Sequence, residues 1–165
     1  MLARDGRDAV ESLDRRSVFY SGPEASIWQV PASGGSPVLV ARNGWGPFPS
    51  FNGSFVYYSG PDATIWRIPT GGGKPARVLK TGPRAWWALA AAGIYVLDPD
   101  AAGGPAIELF PFRTRRTQVA RLPGKPDSYT TDELYASAIS PDGRWTLHTH
   151  VDRSEADLML VENFR

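Results

Sequence analysis

One stretch of sequence occurs twice in this chain of 165 residues, and the two copies are offset by 38 positions. Residues 17–31 read SVFYSGPEASIWQVP, and residues 55–69 read FVYYSGPDATIWRIP. Trp28 and Trp66 occupy the same place in the two copies. Agreement of this extent at one fixed offset indicates a repeat architecture, in which each unit needs its neighbours to cover its apolar faces.

A third and more diverged copy follows the first two. Residues 92–96 (AGIYV) align with residues 52–56 (NGSFV), and residues 107–111 (IELFP) align with residues 65–69 (IWRIP). The third copy therefore keeps the order of apolar runs seen in the second.

A fourth copy begins at the hexapeptide SPDGRW, residues 140–145, which aligns with residues 50–55. It ends in the apolar run 157–161, and a polar insertion with two prolines, 123–133, precedes it. We interpret the insertion as an exposed loop. The four copies are marked by Ser12, Ser50, Ala90 and Ser140.

Every copy has the pattern of short strands. Runs of four to eight β-branched and aromatic residues are separated by Gly, Pro, Asp or Asn, and no run has sustained helical periodicity. Asn52-Gly53 and Asp142-Gly143 are tight-turn dipeptides. The strands predicted for the second copy are 47–50, 54–59, 64–69 and 76–80, and the first strand of the first copy is 8–13. The sequence therefore predicts an all-β fold.

Three or four short strands in each unit of about 40 residues are typical of a β-propeller blade. We expect one domain, 1–165, with the last blade lacking its outer strand. The blades are predicted at 8–42, 46–81, 84–122 and 133–165. Four copies could close alone as a small ring, or two chains could close one ring as a homodimer through their blade edges. We favour the dimer.

The closing part of the chain resembles a known family. Residues 140–145 resemble the turn of TolB-like, WD-repeat-like β-propellers, and residues 140–165 are similar to the C-terminal end of propellers in acidobacterial multidomain proteins. The second copy departs from the motif at Phe51-Asn52, and the first and third copies lack it. The resemblance implies a propeller module. Relatives often carry an N-terminal winged-helix DNA-binding domain or a kinase domain. Because this sequence does not contain the DNA-binding part, no transcription role carries over to this chain.

Composition excludes several classes of site and partner. The chain has no cysteine, so it has neither disulfides nor thiolate metal ligands. Its 18 basic and 17 acidic residues nearly cancel, which argues against a nucleic-acid partner. No apolar run suits a signal peptide or a membrane span, so we expect no membrane partner and a cytoplasmic chain as written, although the parent family may be periplasmic. No cofactor is expected.

The function predicted from these features is non-catalytic binding of a protein, peptide or small ligand on one face of the ring. The binding residues should lie near the innermost strands and the loops at the channel mouth, by analogy with the fold. These candidates are Arg42, Trp45, Arg84, Trp86, Trp87 and the insertion 123–133.

Two other kinds of chemistry remain open. His148 and His150 share one face of a predicted strand with Asp152 close by, which makes them weak candidates for a divalent metal site. The alternative function is a hydrolase or lyase at the channel mouth, although no G-x-S-x-G motif is present. Ser140, Asp142 and Gly143 are interpreted as a structural turn, with Asp142 bonding its own turn backbone.

Overall fold

The computed structural model describes residues 6–83, 85–114, 116–122, 138–140 and 142–147. This part of the chain is all-β. The strands are β1 (Arg7–Glu11), β2 (Ser17–Gly22), β3 (Ser26–Pro31), β4 (Val38–Arg42), β5 (Trp45–Pro49), β6 (Phe55–Gly60), β7 (Thr64–Pro69), β8 (Ala76–Lys80), β9 (Trp86–Ala90), β10 (Gly93–Asp98), β11 (Ala106–Pro111), β12 (Gln118–Arg121), β13 (Ala138–Ile139) and β14 (Thr146–Leu147).

The strands form four antiparallel sheets. Sheet one contains β1 to β4, sheet two β5 to β8 and sheet three β9 to β12, while β13 pairs with β14. Each four-stranded sheet is a meander, because every strand pairs with its neighbours in sequence and short turns are enough to connect them. Among the described residues, no ladder of hydrogen bonds joins one sheet to the next.

The strands predicted for the second copy are confirmed to within two residues at each end. The first strand of the first copy is also confirmed, since β1 lies within one residue of its predicted start. The two near-identical stretches pair in the same register, with Tyr20 opposite Trp28 and Tyr58 opposite Trp66. Of the predicted fourth copy, only 138–140 and 142–147 lie within the described residues, and the insertion 123–133 lies outside them.

The alignment predicted for the third copy is wrong by two positions in its second strand. Gly93 lies opposite Pro111, as Phe55 lies opposite Pro69, so Tyr95 corresponds to Tyr57 and not to Phe55. The β10–β11 connection is four residues longer than the β6–β7 connection, and this length change obscured the offset. Side chains alternate with period two along a strand, so the error left the predicted faces unchanged.

Sheets one, two and three stack face to face in chain order. A first apolar cluster joins Phe19 and Ile27 of sheet one to Val56 and Tyr58 of sheet two. A second cluster joins the opposite face of sheet two to sheet three. Its buried members are Tyr57, Ile65, Trp87, Ile94 and Val96. Sheet two is therefore covered on both faces, which explains why Ile65 is 1% exposed.

A hydroxyl group of the second strand bonds each of sheets one to three to the unit that follows it. The Ser21 hydroxyl accepts a hydrogen bond from the Gly46 amide at 2.8 Å. The Ser59 hydroxyl, 38 residues later, accepts one from the Trp87 indole, also at 2.8 Å. The Tyr95 hydroxyl then donates to the Gly143 carbonyl at 2.9 Å, which attaches the fourth copy to sheet three. The order of the stack is thus fixed by polar contacts as well as by apolar burial.

Candidate functional site

An open cleft of about 380 Å³ lies between sheets two and three, at the end where β5 turns into β6. We call it the arginine cleft. Its aromatic lining residues are Phe51, Phe55, Tyr57, Phe110 and Phe112, and its cationic ones are Arg67 and Arg77. Tyr57 and Phe112 come from different sheets, and their ring centroids are 5.8 Å apart. The cleft therefore combines aromatic side chains with positive charge.

Arg67 is one of the two cationic residues in this lining. It lies on β7 opposite Tyr57 of β6, so strand pairing fixes it beside the aromatic wall. Its Cζ atom lies 4.5 Å from the centroid of the Phe55 ring, which is a cation–π contact. Within the described residues, Arg67 makes no ion pair and donates no side-chain hydrogen bond. No described residue therefore occupies its side-chain N–H donors.

The charge of the cleft is one-sided. Among the residues that the structure describes, no aspartate or glutamate lines it. The two polar lining residues, Ser50 and Asn52, are already bonded in a turn, since the Ser50 hydroxyl donates to the Asn52 side-chain oxygen at 2.8 Å. A positive potential in a cleft with apolar walls attracts anions. The site is thus suited to a negatively charged ligand with an apolar body.

The repeat itself shows which residues set this cleft apart. Stretches 17–31 and 55–69 differ at six of 15 positions. Three differences keep the residue class: Glu to Asp, Ser to Thr and Val to Ile. The other three change polarity or charge, and they introduce Phe55, Tyr57 and Arg67, all of which line the arginine cleft. The second copy therefore departs most from the first where it forms this cleft.

The first copy has a neutral pair in the equivalent place. There the Gln29 side-chain amide donates a hydrogen bond to the Ser17 hydroxyl at 2.8 Å. These residues correspond to Arg67 and Phe55 of the second copy at the offset of 38. A hydrogen-bonded amide–hydroxyl pair has been exchanged for an arginine over a phenyl ring, which introduces a positive charge.

The binding residues predicted from the sequence fall elsewhere. Trp45 and Trp87 line a second cleft of about 140 Å³, at the opposite end of the same two sheets. Arg42 and Trp86 line neither cleft. Arg84 lies outside the described residues. Trp87 is 7% exposed, and its ring packs on Phe48 at a centroid distance of 4.8 Å, so it supports the sheet interface. Binding by these residues remains a prediction.

Identities between the copies do not indicate the arginine cleft, which is why the sequence prediction did not include it. Conserved positions such as Trp28 and Trp66 report packing that both copies share. The polar and charged differences between nearly identical copies were the available indication of a special site. Phe55 and Arg67 stand out by that criterion in the sequence alone.

The predicted turn at Ser140 is confirmed in its backbone bonding. The Ser140 hydroxyl donates to Asp142 Oδ1 at 2.6 Å, and the Arg144 amide donates to the same oxygen at 3.1 Å. Gly143 has φ of 71°, in the left-handed region that favours glycine. These bonds lower the pKa of Asp142, the Ser140 hydroxyl having the largest effect. Asp142 therefore acts on its own turn.

The first copy lacks the sequence motif, as predicted, but it forms the same turn. The Ser12 hydroxyl donates to Asp14 Oδ1 at 2.7 Å, and the Arg16 amide donates to it at 3.1 Å. Arg15 takes the glycine position with φ of 57°, where a side chain costs about 1–2 kcal/mol. The turn therefore forms here without the glycine of the motif. In the second copy Asn52 replaces the aspartate and accepts the same bonds.

The Asp14 turn gives a pH-dependent contribution to stability. The Ser12 hydroxyl, the Arg16 amide and the Arg16 charge lower the pKa of Asp14 below 3.8. A carboxyl group whose pKa is lower in the folded than in the unfolded state stabilises the protein at pH values above the unfolded-state pKa. This stabilisation is lost as the pH falls through the folded-state pKa. We expect Asp14→Asn, which imitates Asn52, to lose less stability than the wild type between pH 6 and pH 3 in urea unfolding. Equal losses in the two proteins would contradict this assignment.

The weak metal candidates His148, His150 and Asp152 lie outside the described residues. Within the described ranges, no group of three or more His, Cys, Asp or Glu side chains is placed to hold a metal ion. No helix in that same part of the chain has the length and apolar character needed to cross a membrane. Comparisons with protein-family models, curated proteins and solved structures gave no match.

Proposed function

We propose that this chain is a non-catalytic binding module of the β-propeller type, and that its ligand occupies the arginine cleft. Propeller blades are four-stranded meanders whose first strands surround a common axis. Three such meanders stack in chain order here. The first strand of sheet one, β1, contacts the first strand of sheet two, β5, and β9 of sheet three contacts β13. This adjacency supports a propeller arrangement.

One observation carries the binding proposal. The three differences that change polarity or charge between the near-identical stretches all line one cleft. Packing alone would not require this, because the Ser17–Gln29 pair occupies the equivalent place in the first copy. The introduced arginine has no carboxylate partner among the described residues. Its guanidinium group can therefore bind an anionic group of a ligand.

The chain offers its own control for this proposal. The double variant Phe55→Ser, Arg67→Gln copies the Ser17 and Gln29 pair into the second repeat. We expect it to fold, because the first copy packs with these residues, and to lose ligand binding by at least tenfold. A library of small acids, amides and amines, screened by calorimetry against both proteins, measures this. Binding that survives unchanged in the double variant would contradict the proposed site.

Self-association is proposed as a second property of the module. The short β13–β14 hairpin region exposes two large apolar side chains, Trp145 at 71% and Leu147 at 72%. Exposed apolar groups of this size favour an interface, and a second copy of the chain is the proposed partner. Light scattering behind a sizing column should give a mass near twice 18.0 kDa over a range of concentrations. A monomer at every concentration would contradict dimerisation and leave the cleft proposal standing.

A further inference from the structure

We infer that the ligand of the arginine cleft is a small carboxylate with an aromatic or similarly flat apolar body, recognised through Arg67. This inference rests on the proposed function and specifies the class of ligand. It depends on three features of the cleft: its single-sign charge, its aromatic walls and its volume.

The charge selects an anion. The guanidinium of Arg67 offers planar, paired N–H donors that match the two oxygens of a carboxylate. The cation–π contact with the Phe55 ring holds the guanidinium in place without a carboxylate partner. Arg77, on the neighbouring strand β8, also lines the cleft and adds to the positive potential. In the described part of the chain, no carboxylate lines the cleft beside either arginine.

The walls select an apolar body. Tyr57 and Phe112 form a ring pair in the lining, inclined by 32° to each other, and Leu89 and Val78 extend the apolar surface. Aromatic side chains prefer offset or tilted contacts with other rings, so a flat ring fits this wall well. The turn residues Ser50 and Asn52 are bonded to each other, which leaves the arginines as the main polar anchors.

The volume selects a small molecule. About 380 Å³ lies in the lower part of the usual range of ligand cavities, roughly 300–1,000 Å³. A free aromatic acid is therefore the occupant we infer. The C-terminal residue of a peptide has the same carboxylate chemistry, and the experiment must separate these two sources.

The test compares three probes of one shape: 3-phenylpropanoate, its primary amide and the corresponding amine. Calorimetry on the whole chain should show the acid binding at least tenfold more tightly than the amide, and the cationic amine binding most weakly. Arg67→Gln should remove the preference for the acid over the amide, because it removes the guanidinium charge. The variant should fold, since Gln29 shows that a glutamine is accommodated at this place in the repeat. Arg67→Lys should retain part of that preference. Lys80→Ala, which removes one positive charge outside the cleft, should retain all of it.

The possible negative results distinguish an error in the ligand class from an error in the proposed function. Acid and amide binding equally to the wild type would overturn the carboxylate assignment while leaving ligand binding in place. If no probe of any charge bound, and the library screen also found no ligand, the proposed function itself would be wrong. A short peptide ending in phenylalanine that bound more tightly than the free acid, and lost this on C-terminal amidation, would show that the occupant is a peptide end.

Discussion

Replacing Trp87 by alanine is expected to lower the free energy of unfolding by about 3–5 kcal/mol. The side chain is 7% exposed and belongs to the apolar cluster between sheets two and three. Its ring packs on Phe48, and its indole N–H donates to Ser59 at 2.8 Å. The substitution would leave a cavity and deprive the Ser59 hydroxyl of its indole donor. Urea unfolding followed by far-ultraviolet circular dichroism measures the loss without relying on tryptophan fluorescence.

Trp45 provides the matched control for this experiment. It is the same residue type at the edge of the second cleft, and it is 47% exposed. We expect Trp45→Ala to cost about 1 kcal/mol or less, because exposed positions away from the core are tolerant. Equal losses for the two tryptophans would show that Trp87 does not join sheets two and three as described.

Replacing Gly93 by alanine is expected to destabilise the chain by about 3 kcal/mol, at the upper end of ordinary overpacking. A Cβ atom at this position would collide with the Phe110 carbonyl oxygen and lie 2.9 Å from the Phe110 carbonyl carbon. Backbone atoms of a paired strand cannot move aside without breaking the β10–β11 ladder. Thermal and urea unfolding should both report the loss.

Gly71 is the control for Gly93. It is exposed in the loop before β8, and no heavy atom lies within 4 Å of a Cβ built there. Gly71→Ala should be neutral or should stabilise the chain by about 0.4–1 kcal/mol, through reduced freedom of the unfolded chain. A harmless Gly93→Ala would mean that β10 and β11 are not as close as the register Gly93–Pro111 requires.

The fold was largely predictable because strand signals repeat. The runs of β-branched and aromatic residues at 55–58 and 64–68 each predict a strand, and the first copy repeats both runs 38 residues earlier. The third copy was harder because the β10–β11 connection changes length. Its register is fixed by pairing of Gly93 with Pro111, which no local pattern reveals.

The candidate site was less predictable because it is assembled between sheets. Phe55 and Arg67 come from sheet two, while Phe110 and Phe112 come from or follow β11 of sheet three. Trp87 was predicted from the sequence to bind a ligand, yet it is part of the apolar cluster that packs sheets two and three together. The turn of the first copy was missed for a different reason, because Arg15 adopts the backbone conformation that glycine normally supplies.

Mapping of a bound acid by nuclear magnetic resonance tests the central claim most directly. Isotopically labelled protein is titrated with 3-phenylpropanoate while its amide and indole signals are followed. The claim predicts saturable shifts centred on Phe55, Tyr57 and Arg67, with the Trp45 indole signal unchanged. Shifts centred instead on Trp45 and Trp87, in the second cleft, would contradict it.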